Sequence, residues 1–244
     1  MSTTGERALS ELISKDVNLE LIEPHIYSAF PDIEVANTYD TQFGNIYDRV
    51  ACNPLYNRLI WGYSIAKFAT LAHNALTSSK EGYVLDLGCG SLAFTAKTYI
   101  QYSARPVVLV DQSLKMLRIA KSRLTKLNGK VPDNMVFLRA DALQLPFKPD
   151  NFNTIISLNL LHCLDDTKKL LVVLKKILSE DGRMYFTTLV KGNRLADRYL
   201  EALASGGKLV SRNIDEHQKV FNELGMPIKY DINGNMAFIY YSGI

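Results

Sequence analysis

Cysteine is scarce. The 244 residues contain three, Cys52, Cys89 and Cys163. The count is odd and no pair has zinc-ligand spacing, so the sequence suggests neither a disulfide framework nor a structural metal. A reducing cytoplasm is the expected compartment. Long apolar runs are missing too. None approaches the ~20 residues that a bilayer span needs. The opening MSTTGERALSELISKD lacks an apolar signal core, and no export is expected. Blocks of basic residues are also absent. The formal net charge is +3, and the cations of LKMLRIAKSRLTKLNGK, residues Leu114 to Lys130, fall at the spacing of a solvated helix face. Nucleic acid is therefore not an expected partner. The oligomeric state stays open at this level.

What remains is an ordinary globular composition, 47% hydrophobic and 22% charged, enough to bury a core without staples. From residue 83 onward short apolar runs alternate with amphipathic ones. The pattern predicts strands at Tyr83–Leu87, Val107–Val110, Met135–Arg139, Thr154–Leu158 and Arg183–Val190. It predicts helices at Leu92–Tyr102, Ser113–Leu127, with Ser113 as N-cap, and Asp165–Leu178. Such a rhythm argues a parallel, doubly wound sheet covered on both faces. Near the end, two β-rich runs flank Asn233-Gly234, a tight-hairpin signal. The expected architecture is α/β: a Rossmann-like, mostly parallel, seven-stranded sheet finished by an antiparallel hairpin. Residues 1–80 stand outside the rhythm and are rich in Tyr, Phe and Asn. They are expected to form a helical cap or lid over the domain of residues 81–244, as one structural unit with it. Residues Lys191–Lys208 read as a second helical insertion.

The chemistry concentrates after the first of these strands, in YVLDLGCGSLAFTAKTYI. In an open parallel sheet, ligands bind at the carboxyl ends of the strands, where the strand order reverses. Gly88 and Gly90 allow a tight bend there and close approach of a ligand. GCGSLA matches a nucleotide-binding turn, but such a turn alone is weak evidence. Asp86 discriminates. A carboxylate beside the turn would repel the pyrophosphate of a dinucleotide. It suits S-adenosylmethionine, which brings an ammonium and a sulfonium and no phosphate. Asp111 closes the next strand and can accept from ribose hydroxyls, with Gln112 following it. Asp141, in RADALQLPF, can accept from an adenine amino group, and Ala142 and Leu143 can pack on the ring.

With three acids at three successive strand ends and no cation in the turn, residues 83–190 resemble a class I S-adenosylmethionine-dependent methyltransferase. The resemblance rests on VLDLGCG, VVLVDQS, RADALQLPF, FNTIISLNLLHCLDD and LSEDGRMYFTT. It is nearest to the group of ubiquinone/menaquinone C-methyltransferases and related small-molecule enzymes. It implies that Asp86, Gly88 and Gly90 hold the methionine part, Asp111 the ribose and Asp141 the adenine. That family usually has a third glycine where this chain has Leu92. The side chain is expected to pack into the following helix.

Methyl transfer needs alignment of acceptor and methyl group above all, and a general base only for some acceptors. Ser157 and Asn159 end the fourth strand, beside the expected methyl group, and His162 follows. Asn159 and His162 are the candidate catalytic residues, His162 as a base or polar contact and equally readable as a structural histidine. Tyr39, Tyr47, Tyr56 and Trp61 are expected to wall an apolar pocket in the acceptor lid, and the resemblance implies that Tyr39 and Tyr47, in ANTYD and NIYDR, sit near the cofactor. The acceptor is expected to be small and largely apolar. Two other functions stay open: an NAD(P)-dependent oxidoreductase on the same fold, and a non-catalytic S-adenosylmethionine-binding protein.

Overall fold

The structure is a computed structural model that describes residues 2–30, 53–78, 81–192, 194–207 and 209–243. Its centre is a sheet in the order β1-β2-β5-β4-β3-β6-β7-β9-β8. The central strands are β3 (Tyr83–Leu87), β4 (Val107–Asp111), β5 (Met135–Arg139), β6 (Phe152–Leu158) and β7 (Leu178–Leu189). All five run parallel. From β3 the chain builds outward to β4 and β5, then returns to the other side for β6 and β7. The order therefore reverses at β3, and the carboxyl ends of β3, β4 and β6 flank one crevice.

These strands are apolar on both sides because both sides are covered. In β4, Val108 and Val110 enter one core with Leu85, Leu87, Val136 and Phe186. Val107 and Leu109 enter the other with Val84, Phe137 and Ile156. Alternation with period two gives Asp86 the same face as Val84, and that choice fixes its surroundings. The helices over the sheet include α1 (Thr4–Leu12), α2 (Ala66–Thr77), α3 (Ala96–Tyr102), α4 (Leu114–Asn128) and α5 (Thr167–Ile177). Ser113 caps α4 as expected, its hydroxyl accepting from the Met116 N–H. Two more helices, α6 (Arg194–Ser205) and α7 (Ile214–Glu223), follow β7, with α6 in the expected insertion.

Three expectations are corrected. The sheet has nine strands among the described residues, not seven. The two extra strands are β1 (Glu20–Glu23) and β2 (Ile26–Ser28), from the region expected to form helices and loops of a cap. β2 adds in parallel to β5, because Ile26 and Ser28 bury one side of the run while β1 folds back antiparallel beside it. Among the described residues before residue 80, β1 and β2 thus extend the sheet edge, and the helices α1 and α2 pack on the sheet. Finally, α3 begins at Ala96 rather than Leu92. Leu92 has φ of 55°, in the left-handed region that no helix continues through. No helix of the described residues is long and apolar enough to cross a membrane.

The closing hairpin joins β8 (Lys229–Asn233) to β9 (Met236–Ser242) through Gly234 and Asn235. It docks on the segment before α2. The Asn235 N–H donates to the Trp61 carbonyl at 2.8 Å. The Asn235 amide donates to the Val190 carbonyl at 2.8 Å and to the Asp197 carboxylate at 2.9 Å. Gly234 has φ of 59°, and a Cβ there would stand 2.1 Å from the Trp61 carbonyl oxygen.

Gly234→Ala combines a left-handed alanine with a backbone clash, so it is expected to destabilise the fold by about 2–4 kcal/mol. Urea denaturation measures this. Unchanged stability would show that the hairpin does not seat against Trp61.

Candidate cofactor site

The crevice at the strand reversal is a cavity of about 400 Å³. Eight residues singled out in the sequence line it together: Asp86, Gly88, Gly90, Asp111, Gln112, Asp141, Ala142 and Asn159. They come from the ends of β3, β4, β5 and β6, so four strands with short connections suffice to gather them. Among the described residues, the lining holds three carboxylates and no lysine, arginine or histidine.

The turn after β3 is shaped by its glycines and held by two anchors. Gly88 and Gly90 have φ of 70° and 53°, conformations that cost glycine little. The Gly90 N–H donates to Asp111 Oδ2 at 2.9 Å, while Asp111 Oδ1 accepts from the Ser113 N–H at 2.9 Å. One carboxylate therefore ties the β3 turn to the start of α4. From the other side, Arg123 of α4 donates to both the carbonyl and the hydroxyl of Ser91. Asp141 is fixed similarly, its Oδ1 accepting from the Leu143 N–H at 2.9 Å.

Asp86 is 1% exposed. Its Oδ2 accepts from the Tyr99 hydroxyl at 2.7 Å, whereas its Oδ1 is buried with no partner. Burial pushes its pKa up to about 7. The Tyr99 hydrogen bond opposes that rise and the Asp111 charge adds to it. A buried carboxylate with an unused oxygen is costly unless a donor arrives. The cavity wall is where such a donor would enter.

Asn159 also has a left-handed backbone, with φ of 60°. Its N–H donates to the Thr187 carbonyl at 2.9 Å, and its Oδ1 accepts from the Thr187 hydroxyl at 3.1 Å. Ser157 is fully buried and is not part of the lining. Neither is His162. Its Nδ1 accepts from the Leu189 N–H at 3.1 Å, and its carbonyl accepts from Val210 at 2.7 Å. Burial, and after it the nearby His217 and Arg212 charges, lower its pKa to about 3. It is a neutral ring that ties the end of β7 to the loop beside it. Tyr39 and Tyr47 lie outside the described residues.

The lining includes residues that sequence reasoning passed over: Phe94, Met116, Leu160, Cys163 and Leu164. Apolar residues at a helix start or after a strand read as core, and nothing in their identity says that they face a cavity. Leu92 does both. It is 2% exposed, within the core on the α3 side of the sheet, and it also lines the cavity.

The family model described as a methyltransferase domain matches residues 78–228, more than half of the chain. A ubiquinone/menaquinone biosynthesis C-methyltransferase of Marinomonas sp. (strain MWYL1) is 27% identical over 161 residues, covering 63% of this chain and 63% of that protein. The chain thus matches less than two thirds of the length of that relative. The magnesium protoporphyrin IX methyltransferase of Synechocystis PCC 6803, solved with bound S-adenosylhomocysteine, superposes with a TM-score of 0.64 at 16% identity. That match covers 84% of this chain and 96% of the other. The geranyl diphosphate C-methyltransferase of Streptomyces coelicolor A3(2) superposes with a TM-score of 0.59 at 11% identity, covering 72% and 74%. At these identities the two structures share the fold.

Leu92→Gly removes a buried side chain, a loss of about 2–5 kcal/mol, and relieves about 1–2 kcal/mol of left-handed strain. A net loss of about 1–3 kcal/mol is expected, with the cavity enlarged. Thermal denaturation checks it. A variant as stable as the parent would show that the strain outweighs the packing.

Proposed function

The chain belongs to the methyltransferase-domain family, and on that premise we propose that it binds S-adenosylmethionine and methylates a small, largely apolar acceptor. The observation that carries this reading is Asp86: a buried carboxylate on the cavity wall with one oxygen unpartnered. An ammonium donor satisfies that oxygen; a pyrophosphate would be repelled by it. The lining has no cation among its described residues, which argues in the same direction, whereas an acid at the position of Asp111 suits the ribose of either cofactor.

When bound, S-adenosylmethionine supplies a methyl group on a sulfonium, and the acceptor takes it by in-line displacement. The chain's part is to hold and align. In this assignment Asp86 accepts from the cofactor's ammonium, across a turn that Gly88 and Gly90 keep open. Asp111 accepts from the ribose hydroxyls. Each of its oxygens already takes one backbone N–H, and a carboxylate oxygen can accept again. Gln112 flanks the ribose. Asp141 accepts from the adenine amino group and Ala142 packs on the ring. Asn159, fixed by Thr187, faces the transferring group. Leu158, Leu160, Leu164 and Phe94 line the same cavity and favour an apolar acceptor. His162 is assigned no base role, since it is buried, neutral at ordinary pH and bonded to the Leu189 backbone. The reducing cytoplasm remains the proposed compartment.

Asp111→Ala is expected to weaken S-adenosylmethionine binding by about 1.5–3 kcal/mol, the range for hydrogen bonds involving a charged group. Calorimetry with S-adenosylmethionine and with NAD tests both the residue and the ligand class. Binding of NAD alone would replace this reading with the oxidoreductase one. Cofactor binding without transfer of labelled methyl into any component of a metabolite extract would favour a non-catalytic binder.

A further inference from the structure

Tyr99 belongs to α3, and its side chain is fully buried in the core on that side of the sheet. Nothing in its sequence context marks it as functional, for an aromatic residue on an apolar helix face reads as packing. Yet its hydroxyl reaches Asp86, donating to Oδ2 at 2.7 Å. This is the one side-chain hydrogen bond to Asp86 among the described residues, and it leaves Oδ1 without a partner.

We propose that Tyr99 is a positioning residue of the cofactor site: its hydroxyl pins one oxygen of Asp86 and leaves the other for the cofactor's ammonium. This rests on the cofactor assignment above and adds to it how the acid is held ready. The geometry has two consequences. The carboxyl plane cannot rotate away from the cavity without breaking a buried hydrogen bond, so the acceptor oxygen is preset rather than recruited. The same bond favours the ionised carboxylate, the form that pairs with a cation.

Against this bond stand burial and one neighbouring charge. Asp111, at the end of β4, adds a negative charge, and burial penalises the charged form. Cys89, in the turn, has its thiol pushed well above the ordinary range and stays neutral. On the neighbouring strand the register partner of Asp86 is Ile156, an apolar residue. The Tyr99 phenol is itself raised well above its usual value by burial and by Asp86, so it remains a donor throughout. Tyr99 is thus the single described contact that keeps Asp86 ionisable near neutrality. Asp86 with its proton on would offer the ammonium no charge. Capture of the cofactor should therefore strengthen as pH rises through about 7, where Asp86 loses that proton.

Tyr99→Phe keeps the buried ring and deletes the donor. Two measurements on it, on Asp86→Asn and on the parent separate the outcomes. The first is a carbon-13 NMR titration of the Asp86 carboxyl in cofactor-free parent and Tyr99→Phe. The second is S-adenosylmethionine affinity against pH, by calorimetry, for all three. In Tyr99→Phe the titration midpoint is expected to rise by about one pH unit or more, as loss of a hydrogen bond to a charged group implies. Affinity near neutrality should fall about fivefold or more, and the rising limb of the pH profile should shift upward with the midpoint. Asp86→Asn should bind weakly with no such pH dependence. If the parent binds S-adenosylmethionine and Tyr99→Phe leaves both midpoint and pH profile unmoved, Tyr99 is core packing and the proposal fails by itself. If the parent binds no S-adenosylmethionine at any pH, the cofactor assignment fails and takes this proposal with it.

Discussion

A carboxylate set into the hydrophobic face of a parallel sheet governs the rest of this structure. Asp86 occupies an inward position of β3, where period-two alternation would otherwise place an apolar side chain beside Val84. Burying it costs free energy, and the surroundings offset that cost incompletely. Tyr99 satisfies one oxygen and nothing described satisfies the other. The neighbouring features follow as accommodations. The turn must pass close to the acid, so it uses Gly88 and Gly90. The turn must also stay put, so Asp111 and Arg123 grip it from two sides. The site is a controlled local loss of stability, held in place by a sheet with two well-filled cores.

The parts legible in the sequence are those whose position is set locally. Asp86, Asp111 and Asp141 each lie at or just after the end of an apolar strand run, and a strand end in a parallel sheet has one destination. The cavity was thus readable from four short stretches. The final hairpin was readable from Asn233-Gly234 for the same reason. What escaped depends on contacts across the sequence. Strands β1 and β2 are short and mixed in polarity, and only the free edge of β5 makes them strands. The late start of α3 follows from the left-handed backbone of Leu92, and no propensity announces that a leucine will adopt it. His162 follows β6 just as a catalytic residue would. The fold nevertheless turns its ring toward the backbone of β7, where the Leu189 N–H, far along the chain, donates to it. Tyr99 is the converse: an ordinary core residue by type, with a hydroxyl whose partner lies on another element.

The turn and the strand ends that line the cavity lie within the residues matched by the methyltransferase-domain model. Two side chains shape the site from beneath it. Leu92 stands where a glycine is usual for such a turn, and it fills both core and cavity wall. Tyr99, one helix further on, reaches the acid from behind. Both belong to the same core beneath the turn, so the floor of the site is continuous with the packing of the sheet.

The seating of the hairpin tip under Trp61 has a kinetic meaning. Asn235 joins three segments that are distant along the chain: its N–H meets Trp61, and its side chain spans Val190 and Asp197. Closing so long a loop is entropically expensive, and such contacts form after local ones. The tip therefore acts as a keystone, binding segments that local folding alone would leave apart. Slow amide exchange near Trp61 would then report on the C-terminal hairpin as much as on its own surroundings, since the two share one opening event.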